Sequence, residues 1–248
     1  MTAKMRLRRL VSRMLDLALP ALNLPRKTSA QRRQTFESVY ADSVWGAGGA
    51  DQFYSGVGSD GDMLEPYARV VRALLEEKQI RAVVDVGCGD YRVGGAIRTA
   101  GTDYIGVDIV PALIERNRRL FGDAKTQFVC LDAVVAPLPD GDLCILKQVL
   151  QHLSNAEIAR ILSRTKKFRY LLVTEFWPAS SPSFRPNRDK PTDASTRGYL
   201  GSGVYPHLPP FSYGTPQIRL EMPVNTIDTA PGEQLITMLF ENGDSKDP

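Results

Sequence analysis

The chain has 248 residues and a formal net charge of +3, with 43% hydrophobic and 24% charged residues. This composition is typical of a folded protein with a sizeable core, and it excludes collagen-like, coiled-coil and wholly disordered chains. No run of about 18 uninterrupted apolar residues is present, so the sequence predicts no membrane-spanning helix. The cysteines, Cys88, Cys130 and Cys144, are widely spaced in apolar runs, which argues against a disulfide scaffold and a structural zinc site.

The positive charge is concentrated at the front of the chain. Residues 1–33 contain nine Lys or Arg side chains and one acid, so the remainder is mildly acidic and nucleic acid is not an expected partner. Within 5–19, apolar residues recur at helical spacing above a basic face, and Pro20 ends the predicted amphipathic helix. Such a helix lies on an anionic membrane surface, docks a partner, or packs on the domain's own core. We divide the chain into this basic segment, 1–35, and a main domain, 36–248.

From residue 62 onward, helical and strand-like patterns alternate. The strand interiors are apolar throughout, which predicts a parallel sheet covered by helices on both faces. Right-handed crossovers then produce a doubly wound α/β fold. In chain order, the predicted elements are a helix over 62–79, a strand over 82–86, a helix over 91–100, a strand over 104–108, a helix over 111–121, strands over 128–132 and 143–146, a helix over 155–166 that begins with a Ser154–Glu157 capping box, and a strand over 170–174.

Charged side chains stand at or just beyond the carboxyl ends of the predicted strands. They are Asp85, Asp108, Asp132, Lys147 and Glu175. Ligands of doubly wound sheets bind outside this edge, so we expect these residues to surround one site.

The stretch DVGCGDYRVG, residues 85–94, places a glycine-rich turn after the first strand. Gly87 and Gly89 allow a sharp turn and the close approach of a ligand. Arg92 occupies the third glycine position of the dinucleotide fingerprint, which disfavours a nicotinamide-dependent oxidoreductase, and no Lys-Ser/Thr pair follows to form a phosphate loop. The pattern predicts a nucleoside site in which Asp108 accepts the ribose hydroxyls and Asp132 accepts the adenine amine.

The motifs VVDVGCG at 83–89, YIGVDI at 104–109 and LDA at 131–133 resemble class I S-adenosylmethionine-dependent methyltransferases, and LKQVLQHL at 146–153 is similar to the family's segment after its fourth strand. The resemblance covers 62–177 and implies S-adenosyl-L-methionine as the cofactor. It also implies a seven-stranded sheet, with 217–224 as the sixth strand and 234–240 as an antiparallel last strand. The candidate cofactor-binding residues are Asp85, Gly87, Cys88, Gly89, Arg92, Asp108, Ile109, Asp132, Ala133, Gln148, Tyr54 and Ser59.

Two aromatic segments flank this region. Residues 40–59 resemble a cofactor-capping segment of related bacterial methyltransferases, in which Trp45 or Tyr54 stacks on a ring or faces the sulfonium; a loop packed by its own aromatics is the alternative. Residues 178–216 hold eight of the 17 prolines and several aromatics, which predicts a substrate lid for a polar or sugar-like acceptor. The candidate substrate-binding residues are Trp45, Tyr199, Tyr205 and His207.

Methyl transfer to an alcohol requires removal of its proton or activation of its oxygen by a metal. The chain has two histidines. His152, on the predicted acceptor side, is the candidate general base, with a packing role as the alternative. Asp142, Glu175 and Asp189 are the candidate Mg²⁺ ligands, although no spacing links them.

These features predict an enzyme that transfers a methyl group to an oxygen of a small polar acceptor, with a saccharide or oligosaccharide hydroxyl as the expected type. The alternative is a non-catalytic nucleoside-binding module tethered by its basic N-terminal helix. No Asn-Pro-Pro-Tyr-type run follows the fourth strand, which disfavours methylation of DNA-base amines. We expect a cytoplasmic protein with peripheral membrane contact through the N-terminal helix.

Overall fold

The structure is a computed structural model of the chain, and it describes residues 27–47, 53–224 and 231–243. The predicted helix over 5–19 and its membrane contact lie outside these residues. Within the described ranges, no helix is long and apolar enough to cross a membrane.

Helices and strands alternate along the chain as the apolar patterns predict. In order, they are α1 (Ser29–Ala41), α2 (Leu64–Glu77), β1 (Ala82–Val86), α3 (Arg92–Ile97), β2 (Asp103–Asp108), α4 (Pro111–Phe121), β3 (Thr126–Cys130), β4 (Leu143–Lys147), α5 (Asn155–Thr165), β5 (Tyr170–Trp177), β6 (Gln217–Pro223) and β7 (Gln234–Glu241).

The strands form one sheet in the order β3-β2-β1-β4-β5-β7-β6. Strands β1 to β5 are parallel, whereas β7 is antiparallel to both β5 and β6. Val86, at the end of β1, stands between Val107 of β2 and Leu146 of β4. The carboxyl ends of the three central strands therefore meet at one edge, and the predicted doubly wound fold with an antiparallel last strand is confirmed.

The core lies on both faces of the sheet. On one face, Val83 of β1 packs in a cluster with Tyr67 and Leu74 of α2. On the other face, Val84 packs in a second cluster that includes Ile158 of α5. Neighbouring residues of a strand point to opposite faces, so a β1 that is apolar on both sides requires helices above and below it.

The carboxyl ends of β3 and β5 differ most from the sequence prediction, and strand pairing explains both. β3 ends at Cys130, opposite the last residue of β2, Asp108, so Asp132 lies beyond the strand. β5 continues to Trp177 because the antiparallel β7 pairs with it as far as Gln234. Pairing partners distant in sequence set these ends, which local patterns do not encode.

Helix α1 is absent from the sequence prediction and runs across the predicted boundary between residues 35 and 36. A capping box formed by Thr28 and Gln31 starts it. Most of its surface is polar, and its buried residues are Arg32, Val39 and Tyr40. Because α1 has so few apolar residues, its sequence shows only a weak helical periodicity of hydrophobic positions. The helix nevertheless packs on the main domain through Arg32.

Candidate active site

A cavity of about 290 Å³ opens at the carboxyl ends of β1, β2 and β4. Asp85, Asp108 and Asp132 all line it, as the sequence predicts. The other predicted residues along its wall are Trp45, Ser59, Gly87, Cys88, Gly89, Ile109, Ala133, Gln148 and His152.

The glycine-rich turn forms the floor of the cavity. Gly87 and Gly89 have φ angles of +76° and +54°, a region that side chains rarely adopt. A Cβ on Gly87 would collide with Val149, and a Cβ on Gly89 would collide with Ser55. The turn thus presents bare backbone to the cavity, which fits the close approach of a nucleoside derivative.

Asp108 is fixed by the same turn. One of its oxygens accepts a hydrogen bond from the Gly89 amide at 3.2 Å, and the other accepts from the Val110 amide at 3.1 Å. Burial raises the pKa of this carboxyl, while the two amides oppose that rise. Each carboxylate oxygen retains a second lone pair, so Asp108 fits a ligand that donates two hydroxyls.

Asp132 carries a contact that sequence reasoning missed. Its Oδ2 accepts from Arg32 Nε at 3.0 Å and Nη2 at 2.6 Å, and its Oδ1 accepts from the Val134 amide at 3.0 Å. Arg32 Nη1 also lies 3.1 Å from Glu157 Oε1. An adenine amine bound at Asp132 therefore shares a carboxylate oxygen with one of these donors. The contact between adenine and Asp132 stays a prediction.

Lys147 places a half-buried cation on the cavity wall, at the end of β4. Its Nζ donates to the carbonyl of Gly58 and lies 3.1 Å from Gln148 Oε1. Burial lowers its pKa to about 8, although nearby Asp85 and Glu175 favour the charged form. The sequence analysis expects Lys147 at this site as a strand-end charge, and the structure places the residue on the cavity wall.

Asp85 and Cys88 lie beneath the turn in a desolvated environment. Asp85 accepts a hydrogen bond from Tyr104 Oη at 2.6 Å, and burial raises its pKa to about 6. Burial also holds the pKa of the Cys88 thiol well above its ordinary value. Cys88 is therefore a neutral packing residue of the floor and has no thiolate character.

His152 is held as a neutral imidazole in the cavity wall. Its Nδ1 lies 3.3 Å from the carbonyl oxygen of Ser195, which only accepts hydrogen bonds, so Nδ1 carries the proton. Its Nε2 is then an acceptor, 3.4 Å from Gln151 Nε2. Burial lowers the pKa of His152 to about 4, which keeps the ring uncharged at neutral pH.

Trp45 closes the cavity above His152. Its ring centroid lies 5.0 Å from that of His152, and its Nε1 donates to the Ala194 carbonyl at 3.1 Å. This hydrogen bond joins the segment after α1 to the loop over 178–216. Ala194 and Thr196 are the described residues of that loop on the cavity wall.

The other aromatic candidates for substrate binding are not brought to the cavity. Tyr205 stacks on Trp177 with centroids 4.3 Å apart, and His207 lies 6.1 Å from both rings. Tyr199 stands in the short 3₁₀ turn at 197–200, likewise off the cavity wall. Apolar burial against the end of β5 accounts for this packing. The loop is a structured cover, and its aromatics mostly serve its own fold.

Tyr54 and Arg92 also lie off the cavity wall. The Arg92 guanidinium sits over the Tyr54 ring at 4.8 Å and donates to Asp90 at 2.9 Å. Asp90 in turn accepts from the Ser55 amide at 3.1 Å. These contacts anchor the segment after residue 53 to the glycine-rich turn, which is a supporting role.

The three candidate Mg²⁺ ligands are separated by the fold. Asp142 accepts from the amides of residues 81 and 82, at the sheet edge opposite the cavity. Glu175 accepts from the Leu150 and Gln151 amides, while Asp189 accepts from the Asn155 amide. Among the residues that the structure describes, no group of three His, Cys, Asp or Glu side chains suits a metal ion. The expected Mg²⁺ site is not supported.

Known methyltransferases resemble this chain in part of its sequence and in its fold. Residues 84–168 match the family model described as a methyltransferase domain. No curated protein matches the sequence. The N-methyltransferase NodS from Bradyrhizobium japonicum, in complex with S-adenosyl-L-homocysteine, is similar in fold: the identity is 15%, the TM-score is 0.59, and the match covers 86% of this chain and 98% of NodS.

Two further structures have lower TM-scores. The N-terminal domain of EvdMO1, in the presence of SAH and D-fucose, is 14% identical with a TM-score of 0.51, and the match covers 88% of this chain and all (100%) of that domain. Human N-acetylserotonin methyltransferase with SAM is 17% identical with a TM-score of 0.46; the match covers 85% of this chain but only 56% of the human enzyme.

The family match covers the turn, β2, β3 and β4, which are the elements that build the cavity. The seven-stranded sheet places that segment in the class I architecture. Residues 84–168 therefore match a methyltransferase domain, and the sheet around them has the class I architecture.

Proposed function

We propose that the chain is an S-adenosylmethionine-dependent methyltransferase that acts on a hydroxyl oxygen of a small polar acceptor, with saccharides as the candidate class. The observation that carries the proposal is the neutral imidazole of His152, a residue of the cavity wall whose Nε2 carries no proton. A neutral base at this position accepts the proton that a hydroxyl must lose on methylation.

The cavity residues fit the methyl donor in one orientation. Asp108 suits the ribose hydroxyls, the bare turn at Gly87 and Gly89 suits the amino-acid part, and the ammonium of Lys147 suits its carboxylate. S-adenosylmethionine supplies a methyl group on a sulfonium, and the sulfur keeps the electron pair of the broken bond. This chain's residues align the acceptor with that methyl group and exclude water, which supplies much of the catalysis.

The protons that must be removed favour a hydroxyl acceptor over an amine acceptor. An attacking hydroxyl becomes a strongly acidic oxonium as the new carbon–oxygen bond forms, so transfer of its proton to His152 is downhill even with a pKa of about 4. An alkylammonium acceptor must first lose a proton to a stronger base than His152. Ser195 stabilises the resulting imidazolium through its carbonyl, which accepts from Nδ1 at 3.3 Å.

Two observations support a saccharide-like acceptor. The wall around His152 combines the Trp45 ring with the uncharged amide of Gln151, and aromatic faces with neutral hydrogen-bonding groups suit polyhydroxylated ligands. The N-terminal domain of EvdMO1, which shares this fold, has been solved in the presence of D-fucose.

Turnover with ¹³C-methyl-labelled donor tests the proposal. A panel of methyl glycosides is paired with matched amino sugars, and the carbon shift of each product distinguishes an O-methyl from an N-methyl group. We expect O-methyl products, and His152→Gln should reduce turnover by about 10²–10⁴-fold while donor affinity is retained. Exclusive N-methyl products would contradict the proposal, and donor binding without any product would favour a non-catalytic nucleoside-binding module.

A further inference from the structure

The histidine of the cavity wall is held twice by one short segment of the loop over 178–216. The ring of His152 donates from Nδ1 to the Ser195 carbonyl at 3.3 Å, and the His152 backbone carbonyl accepts from the Asp193 amide at 3.1 Å. A peptide carbonyl only accepts hydrogen bonds, so the first contact places the ring proton on Nδ1. The position of the Ser195 carbonyl therefore decides which nitrogen of His152 carries the proton.

Asp193 holds Ser195 in this position. Its Oδ1 accepts from the Ser195 amide at 2.8 Å and also from the Ser195 hydroxyl. On the other side of Ser195, Thr196 caps the 3₁₀ turn Arg197–Leu200 by accepting from the Gly198 amide at 3.3 Å. Ser195 itself is exposed, so hydrogen bonds rather than burial set the direction of its carbonyl.

A buried ammonium fixes Asp193 in turn. The side chain of Lys190 has 0% exposure, whereas that of Asp193 is 44% exposed. Lys190 Nζ donates to Asp193 Oδ1 at 2.9 Å and lies 3.4 Å from the His152 carbonyl oxygen. A buried charge is costly unless it is paired, so this lysine keeps the carboxylate beside the His152 backbone. The hydrogen bonds thus form a closed ring from the imidazole of His152 through Ser195 and Asp193 back to the His152 main chain.

We infer that Asp193 is a positioning residue for methyl transfer, and that it fixes the tautomer of His152 by holding the Ser195 carbonyl against Nδ1. This role rests on the proposed function, in which the unprotonated Nε2 of His152 receives the proton of the acceptor hydroxyl. Asp193 lies off the cavity wall, so it acts through Ser195. Without the carboxylate, Ser195 is free to turn away, and both tautomers of the imidazole are then populated.

Nitrogen NMR of the imidazoles tests this role without turnover. The full chain is labelled with ¹⁵N-histidine at pH 7, where the ring nitrogen that carries the proton resonates far upfield of the other nitrogen. We expect a single Nδ1–H tautomer at His152 in the wild type, and ring shifts that move towards each other in Asp193→Ala. His152→Gln assigns the signals. His207, the other histidine of the chain, should keep its wild-type shifts and so report that the variant is folded.

Two variants separate the hydrogen bond from a general effect of mutation. Asp193→Asn keeps a side-chain oxygen, to which Lys190 and the Ser195 amide both donate, so it should keep the wild-type tautomer. Asp140→Ala removes an exposed carboxylate that accepts from Lys167 Nζ at 2.6 Å, and it should also keep the wild-type tautomer. Mixed tautomers or an Nε2–H tautomer at His152 in the wild type, unchanged shifts in Asp193→Ala, or equal loss in Asp193→Asn would overturn the inference.

Turnover provides a second measurement of the same role. With labelled donor and a methyl glycoside that the wild type methylates, Asp193→Ala should lower kcat by about 10–100-fold, while the KM for the donor stays within about twofold. Asp193→Asn should recover most of the wild-type kcat. A kcat in Asp193→Ala equal to that of the wild type would overturn the inference. Failure of the proposed function shows separately, as N-methyl or absent products in the wild type, and the tautomer measurement does not depend on it.

Discussion

Arg32 and Asp132 form a buried ion pair across 100 positions of sequence, with Nη2 2.6 Å from Oδ2 and side-chain exposures of 3% and 5%. The same guanidinium reaches Glu157, the residue that completes the capping box of α5. One side chain thus links α1, the loop after β3 and the start of α5. Helix α1 is thereby held over the end of the cavity that contains Asp132.

Removal of Arg32 should destabilise the whole domain. Arg32→Met leaves two buried carboxylates without their cation, which costs about 3–5 kcal/mol when a buried pair loses one partner. Urea unfolding measures the change in the free energy of unfolding. Arg33→Met, at the adjacent exposed position, is the matched control and should change it by less than about 0.5 kcal/mol. Equal stability of the two variants would show that the ion pair does not hold α1.

Lys147 should bind the carboxylate of the methyl donor. Lys147→Met should weaken S-adenosylhomocysteine by about 1.5–3 kcal/mol, the range for hydrogen bonds to charged groups. Because burial lowers the pKa of Lys147 to about 8, wild-type affinity should fall as pH rises above 8, and the fall should be smaller in the variant.

Calorimetric titrations at pH 7 and pH 9 measure both effects of Lys147. Lys125→Met, on the exposed surface, should behave as the wild type does. A wild-type affinity that is the same at both pH values, together with an unchanged affinity in Lys147→Met, would remove Lys147 from the donor site.

His152 should stay neutral through the physiological range and titrate only in acid. Its pKa of about 4 lies below the ordinary 6.5, so the unfolded chain binds the proton more readily between these values. The stability that this group contributes is full above pH 6.5 and is lost as pH falls towards 4, by about 3 kcal/mol.

Urea unfolding at pH 7 and pH 4.5, with NMR titration of the imidazole, measures this dependence. His152→Gln should be less sensitive to acid than the wild type, whereas His207→Gln should retain most of the wild-type dependence. An imidazole that titrates near 6.5, or an acid dependence unchanged by His152→Gln, would contradict the buried neutral ring.

The sequence predicted those parts of the site that one segment encodes. Gly87, Gly89 and Asp108 follow directly from strand ends and a short turn motif, and strand pairing then brings them together. Arg32 was counted with the basic N-terminal segment, because its partner, Asp132, is distant in sequence and the pairing could not be seen. Its burial depends on tertiary packing that no local pattern records.

The aromatic residues of the loop over 178–216 also depend on contacts that the sequence does not record. Its aromatics suggested a substrate lid, yet Tyr205 stacks on Trp177 because β5 extends three residues further than its apolar run predicts. In each case a contact between distant segments decides the outcome.

The most direct measurement is a calorimetric titration of the full chain with S-adenosylhomocysteine, in the wild type and in Asp108→Ala. The account predicts one site per chain and an affinity loss of about 1–3 kcal/mol in the variant, because the ribose hydroxyls lose their acceptor. Asp103→Ala, at the exposed start of the same strand, should bind as the wild type does. No binding heat at millimolar ligand, or equal affinity in Asp108→Ala, would contradict the claim that these strand ends hold the methyl donor.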